Sequence, residues 1–353
     1  MKRRFRLRAA GRVRAFNGRL SMAALVCVLS LAAGASAWAQ QPAKLPKVAV
    51  LSPRAPTAEA CGANRQGTTL PCFLQAMRDL GYVEGRNVSF EFRYANDDFK
   101  RLPALAGELV KLRPDVIYTF SSPGLTAAAD ATSTIPIIVG PAGEILLTRL
   151  AGNLARPTRN VTGFTLVSVE QEIKCLELLK ELAPHTARVA LLINPDNPVD
   201  RESPGALAPA AAQLGMSLVT ISARDATGLP QAFAAIEAAR ADAIFDLDDA
   251  VLAGNAAVRK QISEWALPRK VAVASPNVLF AADGGLLSFG TDLNALARRA
   301  AGYVDKVLKG ARPAVLPVER PSKYILSVNS KTARALGLTV PQSLLLRADE
   351  VIE

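Results

Sequence analysis

Histidine is nearly absent: His185 is the single one in 353 residues. Without a second His, a Ser-His-Asp triad or a His-containing metal site has only this candidate, and it stands in a loop beside Pro184. No G-x-S-x-G, P-loop or G-x-G-x-x-G pattern occurs. The acid pair Asp248–Asp249 offers carboxylates to a hydrolase, but such pairs more often cap helices or hold cations. No catalytic residue, no metal and no cofactor is expected. The chemistry points to binding without turnover.

Cysteine is also scarce. Cys27 lies in an N-terminal apolar run, which leaves Cys61, Cys72 and Cys175. Cys61 and Cys72 are spaced as C-x10-C, which is not a metal spacing; in an oxidising compartment they either pair or stay free. Long apolar runs are missing apart from residues 20–34 (LSMAALVCVLSLAAG), which fall short of the roughly 20 residues that span a bilayer.

What precedes that run is strongly basic. Lys2, Arg3, Arg4, Arg6, Arg8, Arg12, Arg14 and Arg19 come with no acidic residue among them, and small residues ending in Ala37-Trp38-Ala39 follow. A basic region, a short apolar region and an A-x-A site make a secretory signal peptide over residues 1–39, with Gln40 as the first mature residue. The expected location is the periplasm. Losing eight basic residues takes the formal charge from +11 to +3. No dense Lys/Arg stripe with interleaved aromatics remains, so nucleic acid is rejected as a partner.

The mature chain alternates short apolar strands with longer helices. Strands are expected at 47–51, 88–94, 115–120 and 135–139, with helices at 74–81, 99–112 and 123–131. After a connecting stretch the pattern restarts. Strands are expected at 161–166, 188–194, 217–222, 243–247 and 271–274, with helices at 170–182, 205–214, 229–239 and 256–266. Strands that are apolar throughout, each followed by a helix, indicate parallel sheet covered on both faces. Two such series make an α/β protein of two doubly wound parallel-sheet lobes.

Ligands of open parallel sheets bind beyond the carboxyl ends of the strands. That rule selects Ser52 and Arg54 after the first strand, and Ser121 and Ser122 where Ser-Pro opens a helix. It also selects Gly143 and Glu144 after 135–139, and Thr165 at the end of 161–166. From the second series come Asn194 and Asn197 after 188–194, and Asp248 after 243–247. The free N–H groups and dipole of a helix start at Ser122 suit a carboxylate, and Asp248 suits a cationic amine. Each of these residue types also serves as an ordinary cap or turn former.

Several stretches together resemble the solute-binding component of ABC transporters, of the tryptophan/tyrosine type. They are 81–88 (GYVEGRNV), 101–106 (RLPALA), 133–137 (STIPI), 160–163 (NVTG), 176–179 (LELL) and 194–198 (NPDNP). Near the C-terminus 332–341 (TARALGLTVP) and 347–352 (RADEVI) continue the series. The resemblance implies a type I periplasmic-binding-protein fold with a three-crossover hinge near 159–165, 286–290 and 313–323. It also implies a monomer that captures an amino acid or related carboxylate between its lobes and serves an ABC permease. Docking on a sensory receptor is the alternative partnership. The expected lobes are 40–160 with 287–312, and 161–286 with 313–353. The chain departs from the family pattern at 142–145 (AGEI), at 275–278 (SPNV) and in the cysteine-bearing segment 58–69, all at or near the expected cleft.

Overall fold

The computed structural model describes residues 45–54, 61, 69–166 and 168–353; the leader expected over 1–39 lies outside them. Val48, Ala49, Val50 and Leu51 are apolar on both sides of their strand, and all four are fully buried. Such a strand belongs inside a sheet with helices on both faces. It is β1 (Lys47–Ser52), and β2 (Ser89–Tyr94), β3 (Val116–Thr119), β4 (Ile137–Ala142) and β5 (Val161–Thr165) join it in the order β2-β1-β3-β4-β5. All four pairings are parallel.

The second sheet holds β6 (Arg188–Ile193), β7 (Ser217–Ser222), β8 (Ala243–Asp246), β9 (Ala272–Ser275), β10 (Leu287–Thr291), β11 (Tyr324–Asn329) and β12 (Glu350–Ile352). Its order is β12-β11-β10-β9-β8-β6-β7. From β7 inward, β7-β6-β8-β9-β10 repeats the winding of the first sheet. Strand β11 then adds antiparallel to β10, and β12 parallel to β11.

The helices are α1 (Thr69–Asp79), α2 (Leu102–Lys111), α3 (Ser122–Ala131), α4 (Glu144–Ala151), α5 (Val169–Leu182), α6 (Pro198–Gln213), α7 (Leu229–Ala239), α8 (Ala256–Ala266), α9 (Leu293–Leu308), α10 (Ser330–Leu336) and α11 (Gln342–Leu345). None among the described residues is long and apolar enough to cross a membrane. Helix α9 follows a strand of the second sheet yet packs on the first. Its Leu296, Ala297, Ala300, Ala301 and Val304 share a core with Val48, Phe73, Met77, Tyr118 and Ile138. Cys72 of α1 lies in that core and is disulfide-bonded to Cys61; Cys175 of α5 is buried and free.

The chain passes between the sheets three times: after β5, between β10 and α9, and before β11. Two of these points differ from expectation. Residues 161–165 were expected to open the second lobe, but they are β5 and pair with β4. Residues 287–291 were expected in the first lobe, but they are β10 and pair with β9 and β11. In both cases the strand completes its sheet before the chain crosses, because its backbone donors and acceptors find partners there. At the third passage Val318 and Glu319 still donate to the carbonyls of Leu154, in the loop after α4, and Gly163 of β5, so the crossing falls after Glu319.

Two helices also differ. Residues 144–151 were expected as connection but form α4, whose N-cap is Gly143 with no side-chain cap to announce it. Helix α6 begins at Pro198 rather than 205, with Asn197 accepting from the Val199 N–H, and it continues through Pro204 and Pro209.

Candidate functional site between the sheets

In each sheet the winding reverses at one place, between β1 and β3 and between β6 and β8. Segments leaving the strands on either side of such a point diverge to opposite faces and leave a crevice. The two crevices meet in one cavity of about 130 Å³. Pro53 and Arg54 follow β1, and Phe120, Ser121 and Ser122 follow β3. Asn197 comes from the loop after β6, and Asp248 and Ala250 from the loop after β8. The crossing residues Leu166 and Leu293 line it as well.

Of the residues chosen from sequence, Arg54, Ser121, Ser122, Asn197 and Asp248 are brought together here. Five others stand outside the lining. Ser52 is fully buried, and its hydroxyl is bonded within its own turn to Arg54. Thr165 is fully buried in β5, and its hydroxyl has no hydrogen-bond partner among the described residues. Glu144 is paired with Arg320 in the third crossing segment. Asn194 is buried, giving its amide to Asp249 and accepting from the Asp196 N–H. Gly143 touches the other lobe, as a Cβ added there would lie 2.6 Å from Val199 Cγ2.

The helix start at Ser122 is more saturated than its sequence suggests. The Ser121 hydroxyl accepts from the Gly124 N–H at 3.1 Å, and Pro123 has no N–H to give. The Ser122 hydroxyl accepts from the Gly143 N–H at 3.0 Å. What remains for a ligand in this turn is the Ser122 amide and its hydroxyl hydrogen.

The second-sheet wall is acidic. Asp248 Oδ1 accepts from Asn277 Nδ2 at 2.8 Å, and loss of surrounding water pushes its carboxyl up to about 6. Behind it Asp249 accepts from Asn194, Asn197, and the N–H groups of Val251 and Leu252. Asp200 accepts from the Asn194 N–H and from Asn197. Asp246 is fully buried, and neither of its oxygens has a hydrogen-bond partner among the described residues. Burial first, then the neighbouring Asp249, raises both Asp200 and Asp246 well above the usual carboxylate range. Burial and the Asp248 charge push Glu172 of α5 up to about 8. The one buried cationic side chain among the described residues is Arg259, which bonds to Asp283 and to the Ala253 carbonyl. Among the described residues no three His, Cys, Asp or Glu side chains converge as a metal site.

Asn277, Leu166, Leu279 and Leu293 line the cavity and were not selected from sequence. Asn277 stands two residues beyond β9, so the rule of strand ends, applied to that strand too, reaches it. The leucines at 166 and 293 depend on where the chain crosses between sheets, which no local pattern records.

Two doubly wound lobes joined by three passages, with a polar-edged cavity where their switch points meet, define a binding protein of the type I periplasmic fold. A family model described as ABC transporter substrate binding protein matches residues 64–352, and the chain belongs to that family. A curated relative, the tyrosine-binding protein of Clostridioides difficile (strain R20291), is 24% identical over 267 residues, 75% of either chain. A solved structure described as a conserved domain protein from Vibrio cholerae is 27% identical with a TM-score of 0.78, covering 87% of this chain and 100% of that one. An ABC domain in complex with L-Trp from Streptococcus pneumonia has the same TM-score of 0.78 and coverage at 22% identity.

Proposed function

We propose that this chain is exported to the periplasm and captures a small amine-bearing solute of the amino-acid class, which it delivers to an ABC permease. Lobe one comprises β1–β5 with α9, and lobe two comprises β6–β12. The observation that carries this reading is a cavity lined by residues from the switch points of both sheets. Ser122 from lobe one and Asn197, Asp248 and Asn277 from lobe two line it together with the apolar Phe120, Leu166 and Leu279. An amine placed against Asp248 and a polar group against Ser122 would need both lobes at once. Binding free energy then favours the closed arrangement over the open one, which is what a permease can read. The tyrosine-binding relative and the L-Trp complex support the amino-acid class.

The test is a thermal-shift screen of the mature protein against amines, amino acids and small carboxylates, with native mass spectrometry for co-purified solute. At least one hit is expected to raise the Tm progressively, roughly with the logarithm of ligand concentration above its Kd. Silence across the whole set contradicts it.

A further inference from the structure

Two segments of lobe two reach across to lobe one. The loop after β8 offers its Ala250 and Gly254 carbonyls to the Arg54 guanidinium, at 3.2 Å and 2.7 Å. The start of α6 offers Val199 and Glu202, which are three residues apart and so share one face of the helix. Val199 packs against the apolar core of lobe one beside Gly143, and Glu202 pairs with Arg149 of α4 at 3.2 Å. That ion pair is about half exposed, so by itself it contributes little. Closure therefore depends on the two segments being presented to lobe one together.

One buried side chain joins them. Asp249 Oδ1 accepts from the N–H groups of Val251 and Leu252 at 2.8 Å and 3.0 Å, and the Asp249 carbonyl accepts from the Gly254 N–H at 2.8 Å. Those bonds shape the loop that receives Arg54. Asp249 Oδ2 accepts from Asn197 Nδ2 at 3.0 Å, and Asn197 caps α6 by accepting from the Val199 N–H. The same Asn197 amide also donates to Asp200 at 2.7 Å, which fixes its orientation. An ionised carboxylate accepts on both oxygens, so Asp249 serves donors of the loop and of the helix cap at once. An amide in its place keeps a carbonyl toward the loop only by turning its own NH2 against that of Asn197.

We propose that Asp249 is a positioning residue for lobe closure, holding the loop that receives Arg54 and the helix start that meets α4 in one fixed relation. It is fully buried and acts through Arg54, Val199 and Glu202 rather than by touching solute. Its effect on affinity rests on the solute-receptor reading; its effect on the arrangement of the lobes needs no solute.

Asp249→Asn keeps the size of the side chain and cuts the link to Asn197. Small-angle scattering of the solute-free mature chain is the first readout, and the radius of gyration is expected to rise about as far as in Arg54→Ala. Isothermal titration with the strongest-binding solute of the amine, amino-acid and carboxylate screen is the second. Asp249→Asn is expected to weaken binding by about tenfold in the native background. In the Arg54→Ala background the loss should stay within about threefold, because a contact that Asp249 positions is already gone. Leu179→Ala, a truncation in the lobe-two core, is expected to lower the Tm and leave both readouts unchanged. Equal swelling from Leu179→Ala marks the Asp249 effect as general loosening and overturns the proposal. Should Asp249→Asn fail to fold by circular dichroism, Gly254→Ala displaces the same loop, since its Cβ would lie 2.3 Å from the Ala250 carbonyl oxygen. The same pair of fold-changes is expected from it. An unchanged radius of gyration, or equal losses of affinity in the two backgrounds, overturns the proposal and leaves the receptor reading standing. Silence from every solute contradicts that reading, and the scattering result then decides the proposal.

Discussion

Arg54 Nη1 stands 2.7 Å from the carbonyl oxygen of Gly254, a residue 200 positions further along the chain and in the other lobe. With Nη2 on the Ala250 carbonyl and Nε on Asp97, one guanidinium ties the first lobe to the loop after β8. Arg54→Ala is expected to loosen the closed state. Removing these charge-assisted bonds should weaken solute binding by about tenfold and raise the radius of gyration of the ligand-free protein in small-angle scattering. Arg54→Lys should not restore binding, because a single ammonium lacks the planar fork that reaches three acceptors at once.

Gly143 and Val199 make a second, purely steric contact between the lobes. The backbone of Gly143, at φ −59 and ψ 138, is open to any residue, so a side chain there acts only through what it meets. It meets Val199 Cγ2 at 2.6 Å. Gly143→Val should therefore weaken solute affinity while the ligand-free Tm stays within what about 0.5 kcal/mol would move. Adding Val199→Ala should recover most of the affinity in titration. A double variant no better than the single one removes this contact from the closing mechanism.

The acidic wall gives stability a direction in pH. Glu172, pushed up to about 8, and Asp200 and Asp246, raised well above their usual range, hold protons in the folded chain that they release on unfolding at neutral pH. The folded state then binds more protons, so stability is greatest below about pH 4 to 5 for these groups and falls as pH rises toward 8. The ligand-free Tm should drop between pH 5 and pH 8, and Glu172→Gln should flatten the upper part of that fall. Ligand affinity runs the other way. An amine needs ionised Asp248, so its binding should weaken as pH falls through about 6. The titratable groups facing Asp248 are Glu172 from α5 and Asp246 and Asp249 beside it, and the cation acting on it is Arg259 from α8.

The disulfide between Cys61 and Cys72 closes a loop of sequence separation 11 on the helix that packs against α9. Cross-linking a loop of that size stabilises by roughly 2 to 3 kcal/mol in the chain-entropy account. Reductant, or the Cys61→Ser and Cys72→Ser pair, should lower the Tm by several degrees in calorimetry. Cys175 is buried and has no part in the effect. An unchanged Tm contradicts the assignment of the bond to stability.

Much of this fold is legible in the sequence because its strands are apolar on both faces. Val189–Leu192 and Val48–Leu51 announce buried parallel strands without any partner being known. Strand ends then locate loops, and Arg54, Ser121, Ser122, Asn197 and Asp248 emerge from that rule alone. It fails where a side chain finds a partner nearby. Ser52 satisfies its own turn, and Asn194 serves Asp249 rather than the cavity. It is silent on α4, whose cap is a glycine, and on Leu166 and Leu293, whose place depends on the lobes meeting. The saturation of the α3 turn was equally hidden, since Gly143 reaches Ser122 from 21 residues away.

The proposed function places solute in a cavity between the lobes. Ser122→Trp fills that cavity from the lobe-one side without touching either sheet core. Isothermal titration of wild type and this variant, with the strongest hit of the solute screen and folding checked by circular dichroism, tests the claim most directly. One site per chain is expected in wild type and no measurable binding in a folded variant. Equal affinity in the two proteins would place the ligand elsewhere and contradict it.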